Sequence, residues 1–405
     1  MTAQDNSALQ GDRMTVVLVA GAVVAAIAFA IASYNLATQG HAAFNMDAVV
    51  AWGLPISTYV FFALTSSGLT IVAALAMLFG FERFYPIVKR AIWLALITLI
   101  AGLAVLAVEL PYLFRMIVAI PLNMQIESAF FWMGLFYLLD LLFMALKFRR
   151  MEQGDWDSKA SYQLGLASFI AAMLAAGMLA MVFGMMDMRP FWSTGLLPAY
   201  FYATALLSGI AMLVLALHVS YGGRATPEMP AGVRQIMDST LPKLFAAALG
   251  ITLVLLLTRA MAGLYANTPG IHLVWTQYLL ASPWYHFAIW AGLVLPFILL
   301  MQRSLRGRMG VQVIASLLVI AGMFIERLFF MVGGQVVPLF KGTWERGLAE
   351  YVPSFNEWLL AVMGFALLAA LYALGEKWFS LAAASPEKAE RVAPAAAAGE
   401  EATGA

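Results

Sequence analysis

Apolar positions along this chain do not alternate with polar ones. They come in runs of about twenty residues, separated by short polar connections, from one end to the other. Ten such segments run roughly over 14–35, 52–79, 91–110, 129–146, 164–184, 199–220, 244–264, 285–302, 310–332 and 357–376. Each is about long enough to cross a bilayer as a helix, the conformation that satisfies every backbone N–H and C=O within its own segment. The pattern predicts an all-α polytopic membrane protein with about ten transmembrane helices. The first run follows a polar leader, "MTAQDNSALQGDR", and is longer than the apolar core of a cleavable signal peptide, so a retained anchor is expected.

The polar connections give the expected direction. One side holds Arg13, Arg83, Lys89, Arg90, Lys147, Arg149, Arg150, Lys159, Arg224, Arg234, Lys243, Arg303, Arg306, Arg308, Lys377, Lys388 and Arg391. The other holds Arg115, Arg189, Lys341 and Arg346. Basic residues stay on the cytoplasmic side, so both termini are expected there, in a bacterial cytoplasmic (inner) membrane. The longer outer connections, 111–128, 265–284 and 333–356, carry Trp, Tyr and Pro and are expected to form short interfacial helices and a docking surface. From about 382 the chain is alanine-rich and of low complexity, and is expected to be disordered.

Composition removes several function classes. Of 405 residues, 63% are hydrophobic and 11% charged, against roughly 25% charged in soluble domains. With no cysteine there is no disulfide, thiolate metal site or iron–sulfur ligation within the chain. The four histidines, His41, His218, His272 and His286, are not placed to face each other at mid-membrane, which argues against a bis-histidine haem, and no HExxH pair points to zinc. No phosphate-binding glycine loop or basic arm suggests a nucleotide or nucleic-acid partner. The 24 methionines and His218 read as packing and as a helix-end residue.

Two stretches repeat. "YVFFALTSSG" (59–68) and "YFYATALLSG" (200–209) align on Ser-Gly, matching Tyr59 with Tyr200 and Gly68 with Gly209, and each follows a Leu-Pro. Four spans separate them. The expected organisation is an anchor region over 1–50, a first four-helix bundle over 51–190 and a second over 191–335. An outer loop and last helix follow over 336–380, then a cytoplasmic tail over 381–405. Small residues at Gly68 and Gly209 permit close helix approach.

Polar residues inside the spans carry the candidate chemistry. A charge at the bilayer centre costs about 2.5–3.5 kcal/mol on insertion scales. Glu326 and Arg327 in "IERLFFMVGGQ" lie roughly 8 Å below the outer boundary at 1.5 Å rise per residue, and Arg259 lies at a similar depth. Glu109, Glu127 and Glu357 stand near outer helix ends, while the inner third shows no matching set. Pairing of Arg327 or Arg259 with Glu109 is one expectation, and a polar pocket for a proton-exchanging head group is the other. Asp140 lies near mid-membrane, with Tyr137 one turn away on the same face. A carboxyl there suits proton relay, or a hydrogen bond to a hydroxyl such as Thr58 or Thr65.

"WGLPISTYVFFALTSSG" (52–68), "LPAYFYATALLSG" (197–209), and "ERLFFMVGGQVVPLFKG" followed by "YVPSFNEW" (326–342 and 351–358) together resemble the NrfD-type, polysulfide-reductase-like quinone-interacting membrane subunits. The resemblance covers spans two to ten. It implies two four-helix bundles and exchange of electrons between membrane quinone (menaquinone or ubiquinone) and a partner iron–sulfur, ferredoxin-like subunit that serves a molybdopterin catalytic subunit. Family quinone sites lie near the outer face of the first bundle, where this chain offers Ser57, Thr58 and Tyr59 in place of Asn and His. The expected quinone-binding residues are Thr58, Tyr59, Glu109, Tyr137, Arg259 and Arg327. The expected proton-transfer residues are Asp140, Glu109 and Glu326. With no redox centre of its own, the chain depends on quinone as electron carrier. The alternative reading is an ion or solute transporter, since repeats and buried charges suit that class too.

Overall fold

The computed structural model describes residues 3–110, 118, 122, 124–221, 229–268, 270–338 and 347–382, with side chains from residue 13 onward. Among them there is no strand, and ten helices are long and apolar enough to cross a membrane. They are α1 (Ala3–Gln39), α2 (Leu54–Met77), α3 (Tyr85–Glu109), α4 (Ala129–Glu152) and α5 (Lys159–Gly184). They continue with α6 (Leu197–Ser220), α7 (Ala231–Leu264), α8 (Pro283–Met301), α9 (Met309–Gly333) and α10 (Phe355–Trp378). The chain is thus a multi-pass membrane protein.

Helix starts follow local chemistry. α2, α3 and α6 carry proline in their first turn, where the missing N–H leaves no bond unmade. α10 begins with a capping box in which Ser354 and Glu357 satisfy each other's backbone N–H. α8 widens into a π-helical stretch over Phe287–Val294, just before Pro296. Proline cannot donate to the carbonyl one turn back and crowds it, which accounts for the local distortion.

Two helices form the centre. In the most apolar part of α2, 83% of residues are buried, and in α6 78%, against 17% for α1. α2 and α6 cross at the two Ser-Gly steps of the repeat. A Cβ on Gly68 would collide with the Ala205 carbonyl, and one on Gly209 with the Gly68 backbone. Beside the crossing, Thr65 donates to Ser208 at 3.0 Å. α2 packs on α3 and α5, and α4 on α5 and α3; likewise α6 packs on α7 and α9, and α8 on α9 and α7. Each helix of the later set has the neighbours of its counterpart four spans earlier. α1 and α10 run against each other, and α10 packs on α3 and α2. Buried hydroxyls turn back on their own helices: Ser57, Thr58, Thr65, Thr98 and Thr204 each donate to the carbonyl four residues earlier.

The helix ends on the side that the basic-residue count assigns as inner depart from expectation. α3 begins before Lys89 and Arg90, and α4 runs on past Lys147, so these residues are helical and buried rather than in connections. Arg90 grips Glu376 of α10 through Nε at 2.8 Å and Nη2 at 3.2 Å. Lys89 pairs with Glu152, and Lys147 donates to Ser161 and the Trp156 carbonyl. A matching inner set of charges therefore exists. Apolar runs alone hide it, because helices extend past the apolar stretch and turn flanking charges inward toward partners far along the chain.

The connection 265–284 forms a short helix, Ile271–Leu273, continuing as a π-helical turn over Val274–Leu279. Most of 111–128, residues 339–346 of the last outer connection, and the tail from 383 lie outside the described residues, with Arg115, Arg224, Lys341, Arg346, Lys388 and Arg391.

Candidate functional site

The polar residues inside the spans separate into three groups, two at the end of the bundle that the basic-residue count assigns as outer and one reaching down to Asp140 in the middle of α4. The first is built on α9. Its last two turns carry Glu326 and Arg327, 3% and 2% exposed. Adjacent residues on a helix point about 100° apart, yet both reach α6. The Tyr200 hydroxyl donates to Glu326 Oε1 at 2.5 Å, while Arg327 Nη2 donates to Thr204, one turn further along. Arg259 of α7 lies across the interior, with Nη1 3.7 Å from Glu326 Oε1. Arg327 Nη1 stands 3.6 Å from Glu326 Oε2, too far for a hydrogen bond, and neither atom has another partner. The carboxylate expected to pair with these arginines, Glu109, is not their partner: both pair with Glu326.

Aromatic rings complete this group. The Arg259 guanidinium lies 4.5 Å from the Tyr200 ring centre, 5.2 Å from Phe330 and 5.6 Å from Phe191. Arg327 lies 4.7 Å from Phe201. Ring faces are electron-rich and help hold a guanidinium away from water. Two guanidiniums share one carboxylate, leaving a formal surplus of one positive charge. A cleft lined by Phe191, Arg259, Trp275, Leu279, Tyr285, Glu326 and Phe330 opens beside the pair, with room for about one water molecule.

The second group lies between α2, α4 and α5. The Tyr59 and Tyr137 rings meet edge to face, centres 6.4 Å apart. The Tyr59 hydroxyl points at Met133 Sδ, 4.0 Å away. The Tyr137 hydroxyl lies near Ser67 and Asp140 without a hydrogen bond of ordinary geometry. Asp140 is fully buried. Its Oδ1 accepts from Ser168 of α5 at 2.7 Å, and its Oδ2 has no partner. The hydroxyl that serves Asp140 is thus not Thr58 or Thr65. Thr58 donates to Leu54 O, and Thr65 donates within α2 and to Ser208.

The third group joins α3 to the start of α10. Glu109 is 6% exposed, one of its oxygens has no partner, and it lies within electrostatic range of Glu357. Glu357 is committed to structure: it accepts from Tyr351 at 2.7 Å and closes the capping box. Tyr351 in turn accepts from Leu54 N at 2.7 Å. Burial first, and the Glu357 carboxylate second, push the Tyr351 phenol above its ordinary range. Gln335, just past α9, accepts from the N–H groups of Ala51 and Trp52 and donates to Trp52 O. This ties the entry of α2 to the exit of α9. Glu127 is exposed and takes no part.

Several residues were not singled out from sequence: Thr204, Ser168, Tyr351 and Gln335. Tyr200 carried one signal, its match to Tyr59 in the repeat. Thr204 and Ser168 are short polar side chains, and the importance of all four comes from what faces them. The donor set suits an electron-rich oxygen that also takes up protons. Guanidinium nitrogen, phenol and carboxylate stand together in the first group, where Arg327 Nη1 and Glu326 Oε2 lack a hydrogen bond, as does Tyr137 Oη in the second. Among the described residues no cluster of three His, Cys, Asp or Glu side chains could hold a metal.

Comparison with known proteins gives the family. The polysulphide reductase NrfD family model matches residues 42–339, so the chain belongs to that family. Among similar proteins is a subunit of the selenate reductase of Mesobacillus selenatarsenatis, 25% identical over 389 residues, covering 83% of this chain and 87% of the relative. Another is the Hdr-like menaquinol oxidoreductase integral membrane subunit of Archaeoglobus fulgidus, 24% identical over 359 residues, covering 84% of this chain and 86% of the relative.

Proposed function

With membership of the NrfD family as premise, we propose that this chain is the membrane subunit through which a respiratory oxidoreductase complex binds quinone or quinol and exchanges electrons with an iron–sulfur partner. Both relatives are named as subunits of oxidoreductases, and one name specifies menaquinol, which favours menaquinone over ubiquinone. The chain lacks cysteine, so cluster ligation falls to a ferredoxin-like partner subunit, and substrate chemistry to a molybdopterin catalytic subunit. We place the protein in the bacterial cytoplasmic membrane with both termini inside and the partner docked on the outer connections. Two units, spans 2–5 and 6–9, related by the internal repeat, form the body.

The observation that carries this reading is the group of two buried guanidiniums sharing one carboxylate beside a ring-walled cleft. Quinone supplies two-electron, two-proton redox chemistry. Arg327 and Arg259 bind and orient an oxygen that gains negative charge, as fixed donors do in a site that excludes water. Glu326 and Tyr200 hold a proton between them. Phe191, Phe330 and Trp275 keep water out. Tyr59 and Tyr137, with Thr58 at the start of α2, line the interior of the first unit, where Asp140 moves a proton toward Ser168. Glu109, with one free carboxylate oxygen, accepts or donates a proton at the outer boundary. The cleft has room for about one water, so a head group enters only when its rings move aside.

A binding titration tests this. A fluorescent quinol analogue added to the purified chain is expected to show saturable quenching that weakens in a still-folded Arg327→Gln variant. A well-folded parent protein that fails to bind, alone and with its partner subunits, would overturn the proposal.

A further inference from the structure

Two clefts stand one above the other at the outer end of the second unit. The upper one opens at the surface between Arg189, Gly270, Gly333, Gly334 and Val337, with room for about two waters. The lower one reaches Arg259 and Glu326. The Phe191 ring walls both. Gly333 lets this ring sit where it does, since a Cβ there would come within 3.1 Å of Phe191 Cε1. From Gly333 to Glu326 the drop along α9 is about 10 Å. Arg189 holds one edge of the mouth by donating to the carbonyls of Gln335 and Val337 at 2.9 and 3.2 Å.

Four ionisable groups face Glu326, one from each surrounding helix. Tyr200 comes from α6, Arg259 from α7, Tyr285 from α8 and Arg327 from α9 itself. Tyr200 occupies Oε1, while Oε2 is buried and bonded to nothing. Glu326 lines a water-sized space, and its buried Oε2, 3.6 Å from Arg327 Nη1, lacks a hydrogen bond of the kind a water supplies. We propose that the two clefts form one aqueous path, closed by the Phe191 ring, through which the Tyr200–Glu326 pair exchanges its proton with solution at the outer end. The proton held on the Glu326 carboxyl passes to a water in the lower cleft and past Phe191 to the surface, and the carboxylate left behind keeps the hydrogen bond that Tyr200 donates. Uptake reverses the same steps, and no electrons move. The inference rests on the reading of Glu326 as a proton-handling group and adds its route and sidedness.

The natural absence of cysteine makes the path directly testable. Leu279 lines the lower cleft and is 2% exposed, whereas Met188 lines the upper one and is 71% exposed. Single Leu279→Cys and Met188→Cys variants of the full chain are placed in proteoliposomes. Silver ion is added to one face, and the remaining thiol is counted with a maleimide dye after denaturation. Leu279→Cys is expected to be blocked only from the face at which Met188→Cys reacts. The rate should rise several-fold with Phe191→Ala and fall several-fold with Phe191→Trp, both verified as folded by elution and tryptophan fluorescence. Blocking from the opposite face would overturn the path. So would indifference to Phe191, or no reaction in Phe191→Ala while Met188→Cys reacts.

The proton role has its own readout. With a pH dye on each face, reduction of bound quinone should shift the dye on the Met188 face, and Glu326→Gln should abolish that shift. A shift on the other face alone would sink the proton claim. Silver access needs no quinone, so failure of quinol-analogue binding and failure of the path are separate results.

Discussion

Two buried arginine–glutamate groups sit at opposite ends of this bundle, equally sequestered and differently made. At the inner end, Arg90 and Glu376 are 1% and 8% exposed, and at the outer end Arg327 and Glu326 are 2% and 3%. Depth does not distinguish them; bonding does. Arg90 grips both Glu376 oxygens through two nitrogens at 2.8 and 3.2 Å, and Ser220 and Tyr372 add hydrogen bonds to Oε1 at 2.7 and 2.8 Å. The outer arginines stand 3.6 and 3.7 Å from a single carboxylate, with unbonded atoms on both sides and a cleft alongside. A satisfied charge network fastens helices together, here α3, α6 and α10. An unsatisfied one keeps bonding capacity in reserve for a ligand or for water.

Substitutions at the two ends should part company. The largest effect is expected at the inner end. Arg90→Met leaves Glu376 buried without its cation and should cost about 3–5 kcal/mol of stability, read as a lower melting temperature in detergent. The double variant Arg90→Met/Glu376→Met should recover most of the loss. If Arg90→Met melts like the parent, the inner group is not a fastening.

Arg327→Gln should show the reverse pattern. Loss of a charged donor worth about 1.5–3 kcal/mol lowers quinol-analogue affinity roughly ten- to a hundredfold, with a smaller change in melting than Arg90→Met gives. Equal damage to folding at both ends would erase the distinction.

Thr204→Val removes the hydroxyl that holds Arg327 and keeps the side-chain shape. A shift of about 1–3 kcal/mol is expected from the unpaired donor, appearing in analogue affinity more than in melting. The smallest effect is expected at Glu127, which is exposed. Glu127→Gln should stay within about 0.5 kcal/mol of the parent and leave binding unchanged, which sets the baseline for the outer end.

Much of this was legible along the chain. The ten spans appear where the apolar runs lie, and the two Ser-Gly steps that mark the repeat meet at the α2–α6 crossing. Glu326, Arg327, Arg259 and Asp140 stand out as charges inside apolar runs, and all four are buried. Their partners were not legible. Glu326 faces Tyr200, 126 residues away, and Arg90 faces Glu376, 286 residues away. Thr204 and Ser168 look like ordinary small residues of membrane helices until a charge is found opposite them. Lys89, Arg90 and Lys147 look like connection residues because they follow or precede an apolar run, yet they point inward.

The sequence by itself determined that the chain spans a membrane and where its ten candidate spans run. Those properties are local: a helix in lipid closes its own backbone hydrogen bonds, so a run of apolar residues suffices to specify a span. Only the tertiary structure decided which charge meets which, which group is satisfied and which retains a free face. Pairing depends on the rotation of each helix about its axis and on its choice of neighbours. Both are set by close steps such as Gly68 against Gly209, and neither is encoded in any single span.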